Sequence, residues 1–342
     1  MPETYSAMVC EAVGAPLVGR RRSWPTAKKP TDVVIEVCAC GVCRTDLHVV
    51  DGDLPRRAPE IVPGHEVVGR VAEVGPGIEA LAPGMRVGAA WLGFACGVCP
   101  FCRRGEENLC PYAEFHGWTR DGGYSEAMIA DGRFLFALPD GPDDTHFAPL
   151  LCAGLIGYRA LRMAKDAERV GLYGFGAAAH IIVQVARWQG RRVHAFTRTG
   201  DEAAQALALR LGCVSAQGSD QAPPEPLDAA ILFAPVGSLV PLALKAVRPG
   251  GIVVCAGIHM SDIPSFPYEL LWGERTLRSV ANLTRRDGEE FLALASKASV
   301  TTTIETFALA DANVALDRLR AGAISGAAVL AVKGLLRGDG AE

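Results

Sequence analysis

Residues 169–190, RVGLYGFGAAAHIIVQVARWQG, join a short apolar run to a glycine-rich turn and a helix-length segment. The run 170–173 has the length and the side chains of a buried strand. Apolar residues then recur at helical spacing, at Ala178, Ile181, Ile182 and Val185, and Gly190 ends the pattern. A strand, a glycine turn and a helix in this order predict the first unit of a doubly wound parallel sheet.

The residues that follow repeat this alternation. The expected strands are 192–196, 213–215, 229–233 and 252–256, and the expected helices end at Leu211 and cover 239–247. Strands that alternate with helices of these lengths predict an α/β fold with a parallel sheet of the Rossmann type.

The chain before about residue 150 has a different pattern. It is dense in glycine and proline, and it contains short β-type runs at 33–37, 66–74 and 85–89. Turns at intervals of roughly 8–12 residues are typical of a β-rich domain. Short segments after about residue 281, ending in 327–332, are expected to return to this domain.

Length and composition exclude several classes of protein. A chain of 342 residues has room for about two domains, and 49% apolar with 21% charged residues is not the composition of a disordered chain. The formal charge of −4 gives no general attraction to nucleic acid or to an anionic membrane. We therefore expect a small-molecule partner, with no nucleic acid and no membrane.

The 11 cysteines are an odd number, and residues 1–15 show no secretory signal. A disulfide framework is therefore not expected, and we expect a cytoplasmic protein. Five thiols in apolar, strand-like segments are expected to be buried: Cys10, Cys38, Cys40, Cys213 and Cys255. The arginine run 20–22 is expected in a solvated loop, since no apolar stretch follows it to complete an export signal.

Four cysteines form the pattern C-x2-C-x2-C-x7-C: Cys96, Cys99, Cys102 and Cys110. Four thiolates at this spacing can surround one zinc ion tetrahedrally, whereas the last spacing matches neither common ferredoxin pattern. Because the protein would supply all four ligands, no position would stay open for a substrate. The pattern predicts a structural zinc site in a lobe at about 91–113.

Three further motifs contain cysteine or histidine: CRTDLH at 43–48, GHE at 64–66 and CAG at 152–154. The first two also carry acidic or hydroxyl side chains. With the cysteine lobe and the nucleotide turn, the three motifs make the chain resemble the zinc-dependent alcohol dehydrogenases of the medium-chain dehydrogenase/reductase superfamily over nearly its whole length. Within that family the resemblance is to the bacterial and cinnamyl-type enzymes. It implies a GroES-like, β-rich catalytic domain together with a Rossmann domain.

By this resemblance, Cys43, His65 and Cys152 hold a catalytic zinc whose fourth position takes water or the substrate oxygen. Two thiolates and an imidazole are a known donor set for catalytic zinc. Asp46 would accept the remaining N–H of His65, and Glu66 would tune the ion or ligate it transiently.

The resemblance also implies a route for the alcohol proton. Thr45 would take the hydroxyl proton, and His48 would pass it to water through the cofactor ribose. Arg44 would face the cofactor pyrophosphate. A purely structural interpretation stays open for two residues, Asp46 as a helix cap and His48 as a surface histidine.

The candidate cofactor-binding residues of the glycine turn are Gly171, Gly174, Phe175 and Gly176. The sequence from Gly174 onward satisfies G-x-G-x-x-A, although Tyr173 replaces a glycine of the stricter fingerprint. The second strand ends at Thr197 and Arg198, where an NAD-preferring enzyme would carry a carboxylate for the ribose 2′-hydroxyl. Thr197 leaves room for a phosphate and Arg198 can pair with it, which favours NADP(H) slightly over NAD(H).

The sequence defines the substrate pocket less well. Family analogy places Trp91 in the pocket, with Trp118 and Leu271 as further wall candidates, and core packing is an equal alternative for all three. Ile156 stands where many relatives carry threonine, which would remove a polar contact to the nicotinamide. We expect a mostly apolar pocket that accepts primary alcohols or aldehydes.

Together these features predict a zinc-bearing catalytic domain at 1–153 and 282–342, a dinucleotide-binding domain at 154–281, and two Zn²⁺ ions per chain. The predicted reaction is the reversible oxidation of an alcohol to an aldehyde or ketone with NAD(P). The alternatives are a polyol dehydrogenase of the sorbitol type and a non-catalytic, zinc-stabilised nucleotide or redox sensor. Family resemblance implies a homodimer or homotetramer.

Overall fold

A computed structural model describes residues 2–139 and 143–332. Over this range the chain divides into two compact units. The first unit contains residues 2–139, 143–152, 284–288 and 302–332, and the second contains 153–283 and 289–301.

Seventeen strands are found among the described residues: β1 (Thr4–Val9), β2 (Val18–Ser23), β3 (Asp32–Val42), β4 (Val67–Val74), β5 (Arg86–Ala89), β6 (Leu92–Phe94), β7 (Glu114–Phe115), β8 (Ala127–Asp131), β9 (Leu135–Ala137), β10 (Arg169–Tyr173), β11 (Arg192–Thr197), β12 (Ser215–Gly218), β13 (Leu227–Leu232), β14 (Val247–Cys255), β15 (Thr276–Ser279), β16 (Ile304–Ala308) and β17 (Ala327–Ala331). The same residues form nine α-helices: α1 (Arg44–Asp51), α2 (Pro100–Arg103), α3 (Asp144–Phe147), α4 (Ala153–Met163), α5 (Ala177–Trp188), α6 (Glu202–Arg210), α7 (Leu239–Ala246), α8 (Arg285–Lys297) and α9 (Ala312–Arg320).

The first unit is built on a mixed sheet in the order β16-β17-β3-β4-β5-β9, and β8 also pairs with β3. β3 is covered on both faces, so that Val33, Val34 and Val37 are all 0% exposed. β17 pairs antiparallel with β3, so the end of the described chain lies in this unit.

The pairing of β3 with β4 brings distant parts of the sequence together. The two strands are antiparallel, with Cys40 opposite Val67. The carboxyl end of β3 therefore lies beside the start of β4. Cys43 follows the first of these ends and His65 precedes the second, which places both residues at the same edge of the sheet.

The second unit has a six-stranded, all-parallel sheet in the order β12-β11-β10-β13-β14-β15. The strand order reverses between β10 and β13, and ligands bind at the carboxyl ends of strands at such a switch point. Residues 174–176 form the turn after β10, and α5 begins at Ala177. The predicted Rossmann sheet is confirmed, with strand bounds that differ from the predicted ones by a few residues.

The expectation of a loop at 20–22 is wrong. These arginines lie in β2, which pairs antiparallel with β1. They tolerate a strand because carboxylates neutralise them; Arg22, for example, pairs with Glu60 and Asp121. The run is thus an ion-paired strand on the surface.

One boundary between the units differs from the expected one. Residues 289–301, expected in the zinc-bearing domain, cluster with the second unit. The reason is Phe291, which is fully buried, packs against the backbone of Gly154 and lies 5.7 Å from the ring of Tyr158. Residues 333–342 of the expected domain lie outside the described part of the chain.

All eleven cysteines are unpaired thiols. Four of the five expected core thiols are buried, whereas Cys38 is only half-buried. Among the described residues, no helix combines the length and the apolar character that crossing a membrane requires.

Candidate active site

Four side chains from three segments of the first unit meet in one cluster: Cys43, His65, Glu66 and Cys152. One ligand atom from each lies within 4.8 Å of the others. Cys43 is the N-cap of α1, His65 and Glu66 immediately precede β4, and Cys152 follows the 3-10 turn Ala148–Leu151. The structure thus brings together the two thiols, the imidazole and the carboxyl group that the resemblance had singled out.

Asp46 connects this cluster to the helix that carries it. Its Oδ2 accepts a hydrogen bond from the backbone N–H of Cys43 at 2.9 Å, which caps α1. Its Oδ1 accepts from the Gly64 N–H at 3.2 Å and lies 3.1 Å from Nδ1 of His65. Asp46 therefore caps the helix and also contacts His65. The helix-cap interpretation and the His65-partner interpretation are compatible in this structure.

The position of Asp46 determines which nitrogen of His65 faces the cluster. With Nδ1 directed at the carboxylate, Nε2 lies 3.2 Å from the Cys43 Sγ. Two atoms that bind one zinc ion at about 2.0–2.3 Å have a separation of this order. A carboxylate behind a ligating histidine is the usual means of fixing its tautomer and ring orientation.

Burial and mutual contacts shift the pKa values of the titratable groups in the cluster. A hydrogen bond from the Cys152 thiol, with further help from the His65 ring, holds the pKa of Cys43 well below its ordinary value. Burial raises the pKa of Glu66 well above the usual carboxyl range. Thiolate and neutral imidazole are the donors that zinc prefers, so these residues fit the metal implied by the resemblance.

Gly41 makes room for Glu66, and sequence reasoning missed it. A Cβ on Gly41 would overlap the Glu66 carboxyl group. The glycine lies two residues before Cys43, in the last part of β3. The position of Gly41 just before the motif at 43–48 was the sequence signal that could have identified this glycine.

The proposed proton-transfer residues lie on the first turns of α1. The Thr45 N–H points at the Cys43 Sγ at 3.3 Å, and the Thr45 side chain is half-buried. His48 has its Nδ1 2.7 Å from Oδ2 of Asp53, a partner that the sequence did not suggest. Arg44 is exposed at the start of the helix.

The four-cysteine lobe is also assembled. Ligand atoms of Cys96, Cys99, Cys102 and Cys110 all lie within 4.8 Å of one another. Backbone N–H groups point at three of the sulfurs at 3.4–3.5 Å, and such contacts stabilise thiolates. The backbone N–H of Val98, with help from that of Cys99, lowers the pKa of Cys96 to about 6 against the opposing effect of burial. Four thiols arranged in this way fit a closed tetrahedral zinc site.

Aromatic rings border the Cys43 cluster. Trp91 meets the His65 ring edge to face at 5.0 Å and stacks on Phe115 at 5.2 Å and on Trp118 at 5.9 Å. Trp91 thus lies beside His65 and Trp118 lies beside Trp91, and both also pack against the core of the first unit. Leu271 packs against the core of the second unit.

In the second unit, the glycine turn has the geometry of a cofactor-binding loop. Gly174 has φ +90°, and a Cβ there would lie 2.7 Å from the Ala234 nitrogen. Gly176 is the N-cap of α5 and has open space where a side chain would be, so the backbone N–H groups of the helix start are accessible. Gly171 lies within β10, where a Cβ would strike Leu227, so its role is close packing.

The end of β11 differs in detail from the expectation. Thr197 is buried, its hydroxyl donates to the Arg198 carbonyl, and it accepts from the Gln205 amide. The Thr197 hydroxyl is therefore engaged within the fold. Arg198 is exposed, and Asp220 bonds the Thr199 hydroxyl one strand away.

Comparisons with known proteins agree with this fold. The model of the alcohol dehydrogenase GroES-like domain matches residues 29–140. A Mycobacterium tuberculosis protein named "Probable alcohol dehydrogenase AdhA" is 50% identical over 311 residues, which cover 89% of each chain. Among solved structures, a cinnamyl alcohol dehydrogenase from Sorghum bicolor superposes with a TM-score of 0.87 at 27% identity, covering 97% of this chain and 98% of that one. An acetophenone reductase from Geotrichum candidum, solved with NAD, has a TM-score of 0.86 at 27% identity over 97% and 98%.

A GroES-like unit with a Cys-His-Cys cluster, in one chain with an all-parallel Rossmann sheet, defines a zinc-dependent dehydrogenase that uses a nicotinamide dinucleotide. The chain belongs to the zinc-dependent alcohol dehydrogenases of the medium-chain dehydrogenase/reductase superfamily.

Proposed function

We propose that the chain oxidises alcohols reversibly to aldehydes or ketones at the cluster of Cys43, His65 and Cys152, with NAD(P) as hydride acceptor. The observation that carries this proposal is the Asp46–His65–Cys43 chain of contacts, which aims one thiol and one imidazole nitrogen at a common point. A zinc ion held there would supply Lewis-acid chemistry that lowers the pKa of an alcohol, and a bound nicotinamide would be the hydride acceptor.

The side chains around the cluster have separate tasks in this reaction. Thr45 accepts the alcohol proton at its hydroxyl oxygen and passes its own proton on. His48, whose Nδ1 lies 2.7 Å from Oδ2 of Asp53, receives this proton and releases it to water. Glu66, buried in the space left by Gly41, adjusts the charge of the ligand cluster.

The four-cysteine lobe holds a second zinc ion with a structural role. Its four thiols leave no position for a substrate, in contrast to the Cys43 cluster. Two zinc ions per chain follow from these two donor sets.

For the cofactor we propose contacts from 174–176 and the start of α5 to the pyrophosphate, with Arg44 as a further cation. Arg198, exposed after β11, favours the 2′-phosphate of NADP(H) slightly over NAD(H). The ratio of kcat/KM for the two cofactors tests this preference. A tenfold preference for NAD would contradict it, and the Asp220 carboxylate beside Thr199 would then be the residue to examine.

The aromatic rings beside His65 support primary, mostly apolar alcohols as substrates. A polyol dehydrogenase is the less favoured alternative, because Trp91 and Phe115 offer few hydrogen bonds to a chain of hydroxyl groups. A non-catalytic sensor would have no use for the Thr45–His48–Asp53 series. Assays of primary alcohols, polyols and both cofactors with zinc-replete protein separate these three functions.

We further propose a cytoplasmic homodimer or homotetramer. Eleven unpaired thiols suit a reducing compartment. In the second unit, the side chains of Tyr268 and Trp272 are 68% and 67% exposed. The sheet of this unit ends at β15. Large exposed aromatic side chains are typical of subunit contacts. Light scattering of the purified protein measures the subunit number.

A further inference from the structure

One arginine near the aromatic rings differs from its neighbours. Arg57 is exposed, and its guanidinium makes neither a hydrogen bond nor an ion pair with any described residue. Adjacent Arg56, by contrast, donates to the carbonyl groups of Ala58 and Glu11 at 2.8 and 2.7 Å. Arg57 is therefore a cation that the fold itself does not use for charge pairing.

Arg57 is nevertheless held in a defined place. Its Cζ lies 5.7 Å from the centroid of the Trp118 ring, a cation–π contact. Trp118 is fixed in turn, because its Nε1–H donates to the Pro55 carbonyl at 3.0 Å. The guanidinium is thus positioned with its five N–H donors available.

The ring under Arg57 belongs to the aromatic group that reaches the metal ligands. Trp118 stacks on Trp91 at 5.9 Å with 7° between the planes, and Trp91 contacts His65 at 5.0 Å. Cation, indole, indole and imidazole follow one another without a gap. A row of packed aromatic rings therefore connects His65 to a positive charge.

A small hollow lies at the charged end of this row. Leu54, Arg56, Arg57, Ile61 and Trp118 are among its lining residues, and its volume is about 10 Å³. That is room for about one water-sized group. The hollow can admit one oxygen atom of a ligand's polar end, while the rest of the ligand stays outside it beside the indole rings.

We propose that Arg57 is a specificity-determining residue that binds an anionic group, a carboxylate above all, at the end of an aromatic alcohol or aldehyde remote from the reacting carbon. This inference rests on the proposed function, since the substrate is placed by the Cys43 cluster. A planar ring lies along Trp91 and Trp118, and the guanidinium receives the carboxylate in a charge-assisted pair.

Matched pairs of substrates test the proposal. Para-(hydroxymethyl)benzoate is compared with its methyl ester, and para-(hydroxymethyl)cinnamate with its own methyl ester, so that charge varies at nearly constant shape and at two lengths. The readout is the ratio of kcat/KM for acid over ester in the holoenzyme. We expect at least one pair to favour the acid by about three- to tenfold at low salt, with the ratio falling as ionic strength rises.

Variants assign this preference to one side chain. Arg57→Gln should abolish the acid-over-ester ratio while leaving the esters within about twofold, and Arg57→Lys should retain part of it. Arg210→Gln is the control. Arg210 is likewise exposed and lies on α6 of the second unit, and its substitution changes the net charge by the same amount.

The outcomes distinguish the inference from the function it rests on. Turnover of esters and acids with equal kcat/KM overturns the role of Arg57 and leaves the dehydrogenase activity standing. An equal loss for acid and ester in Arg57→Gln also overturns it, because Arg57 then only covers Trp118. Absence of turnover with every alcohol and both cofactors overturns the proposed function itself.

Discussion

Asp46 Oδ1 and His65 Nδ1 lie 3.1 Å apart, and both side chains are 1% exposed. This contact orients the imidazole toward Cys43, and it fixes α1 as well, because the other Asp46 oxygen caps that helix. One carboxylate thereby couples the start of a helix to the geometry of a metal ligand.

Replacing Asp46 should therefore weaken metal binding more than it weakens the fold. Asp46→Asn keeps an oxygen for the cap but removes the charge behind His65, and we expect zinc affinity and kcat/KM to fall by about 10–100-fold. Zinc titration with a competing chelator and steady-state assays measure both. The control is Asp201→Asn, at the N-cap of α6, which should change neither. Unchanged zinc affinity in Asp46→Asn would contradict this role.

The two cysteine clusters should fail in different ways. Cys43→Ser retains an N-cap of α1, since serine caps helices well, and should keep its melting temperature while kcat falls more than about 100-fold. Cys99→Ser opens the closed site and should lower Tm by more than about 5 °C. Thermal melts, assays and metal analysis of both proteins decide, and equal loss of Tm and of activity in both would contradict the division.

The two glycines of the nucleotide turn should respond differently to alanine. Gly174→Ala places a Cβ against Ala234 and forces alanine into the positive φ of residue 174. In the absence of cofactor, this substitution should lower the free energy of unfolding by about 1–3 kcal/mol. Gly176→Ala meets open space and should leave that free energy unchanged but weaken cofactor binding. Denaturation and fluorescence titration with NADPH measure the two effects. Similar destabilisation by both substitutions would show that the turn is only a packing element.

Acid should destabilise the second unit through Asp228. The hydrogen bond from Arg169 holds the pKa of this carboxyl far below its usual range. Burial opposes this effect less strongly, and Arg248 lowers the pKa further. A depressed folded-state pKa adds stability that is present above the unfolded pKa of about 4 and is lost as pH falls through the folded pKa.

Asp228→Asn should consequently cost about 1–2 kcal/mol at pH 7, and this cost should begin to fall only below about pH 4 and continue to shrink as the pH approaches the depressed folded-state pKa. Urea denaturation of both proteins at several pH values measures the difference. A cost that does not change with pH would mean that the amide and the carboxylate serve the same packing role.

Sequence reasoning succeeded where the signal is local. The strand, turn and helix of 169–190 lie next to one another in the chain, and so do the four cysteines of the lobe, so spacing alone predicts their structure. Cys43 and Cys152, however, are far apart in sequence. Their meeting depends on how the sheet is assembled, and only the resemblance to a family anticipated it.

What the sequence could not predict depends on tertiary contact. Asp53 reaches His48 only because Gly52 ends α1 and turns the chain back. Gly41 matters because β3 and β4 pair, which brings Glu66 against it. The Thr197 hydroxyl, expected to leave space for a phosphate, is engaged by Gln205 of the next helix.

The central claim is that Cys43 belongs to an open metal site where alcohol is oxidised. The most direct measurement is the rate at which zinc-replete protein reduces NAD(P) when a primary alcohol is added. Wild type and Cys43→Ser are compared after thermal melts have shown that their melting temperatures are equal. The account predicts alcohol-dependent formation of reduced nicotinamide by wild type and none above background by Cys43→Ser. Equal rates in the two proteins, or no turnover by wild type across a broad panel of alcohols with both cofactors, would contradict it.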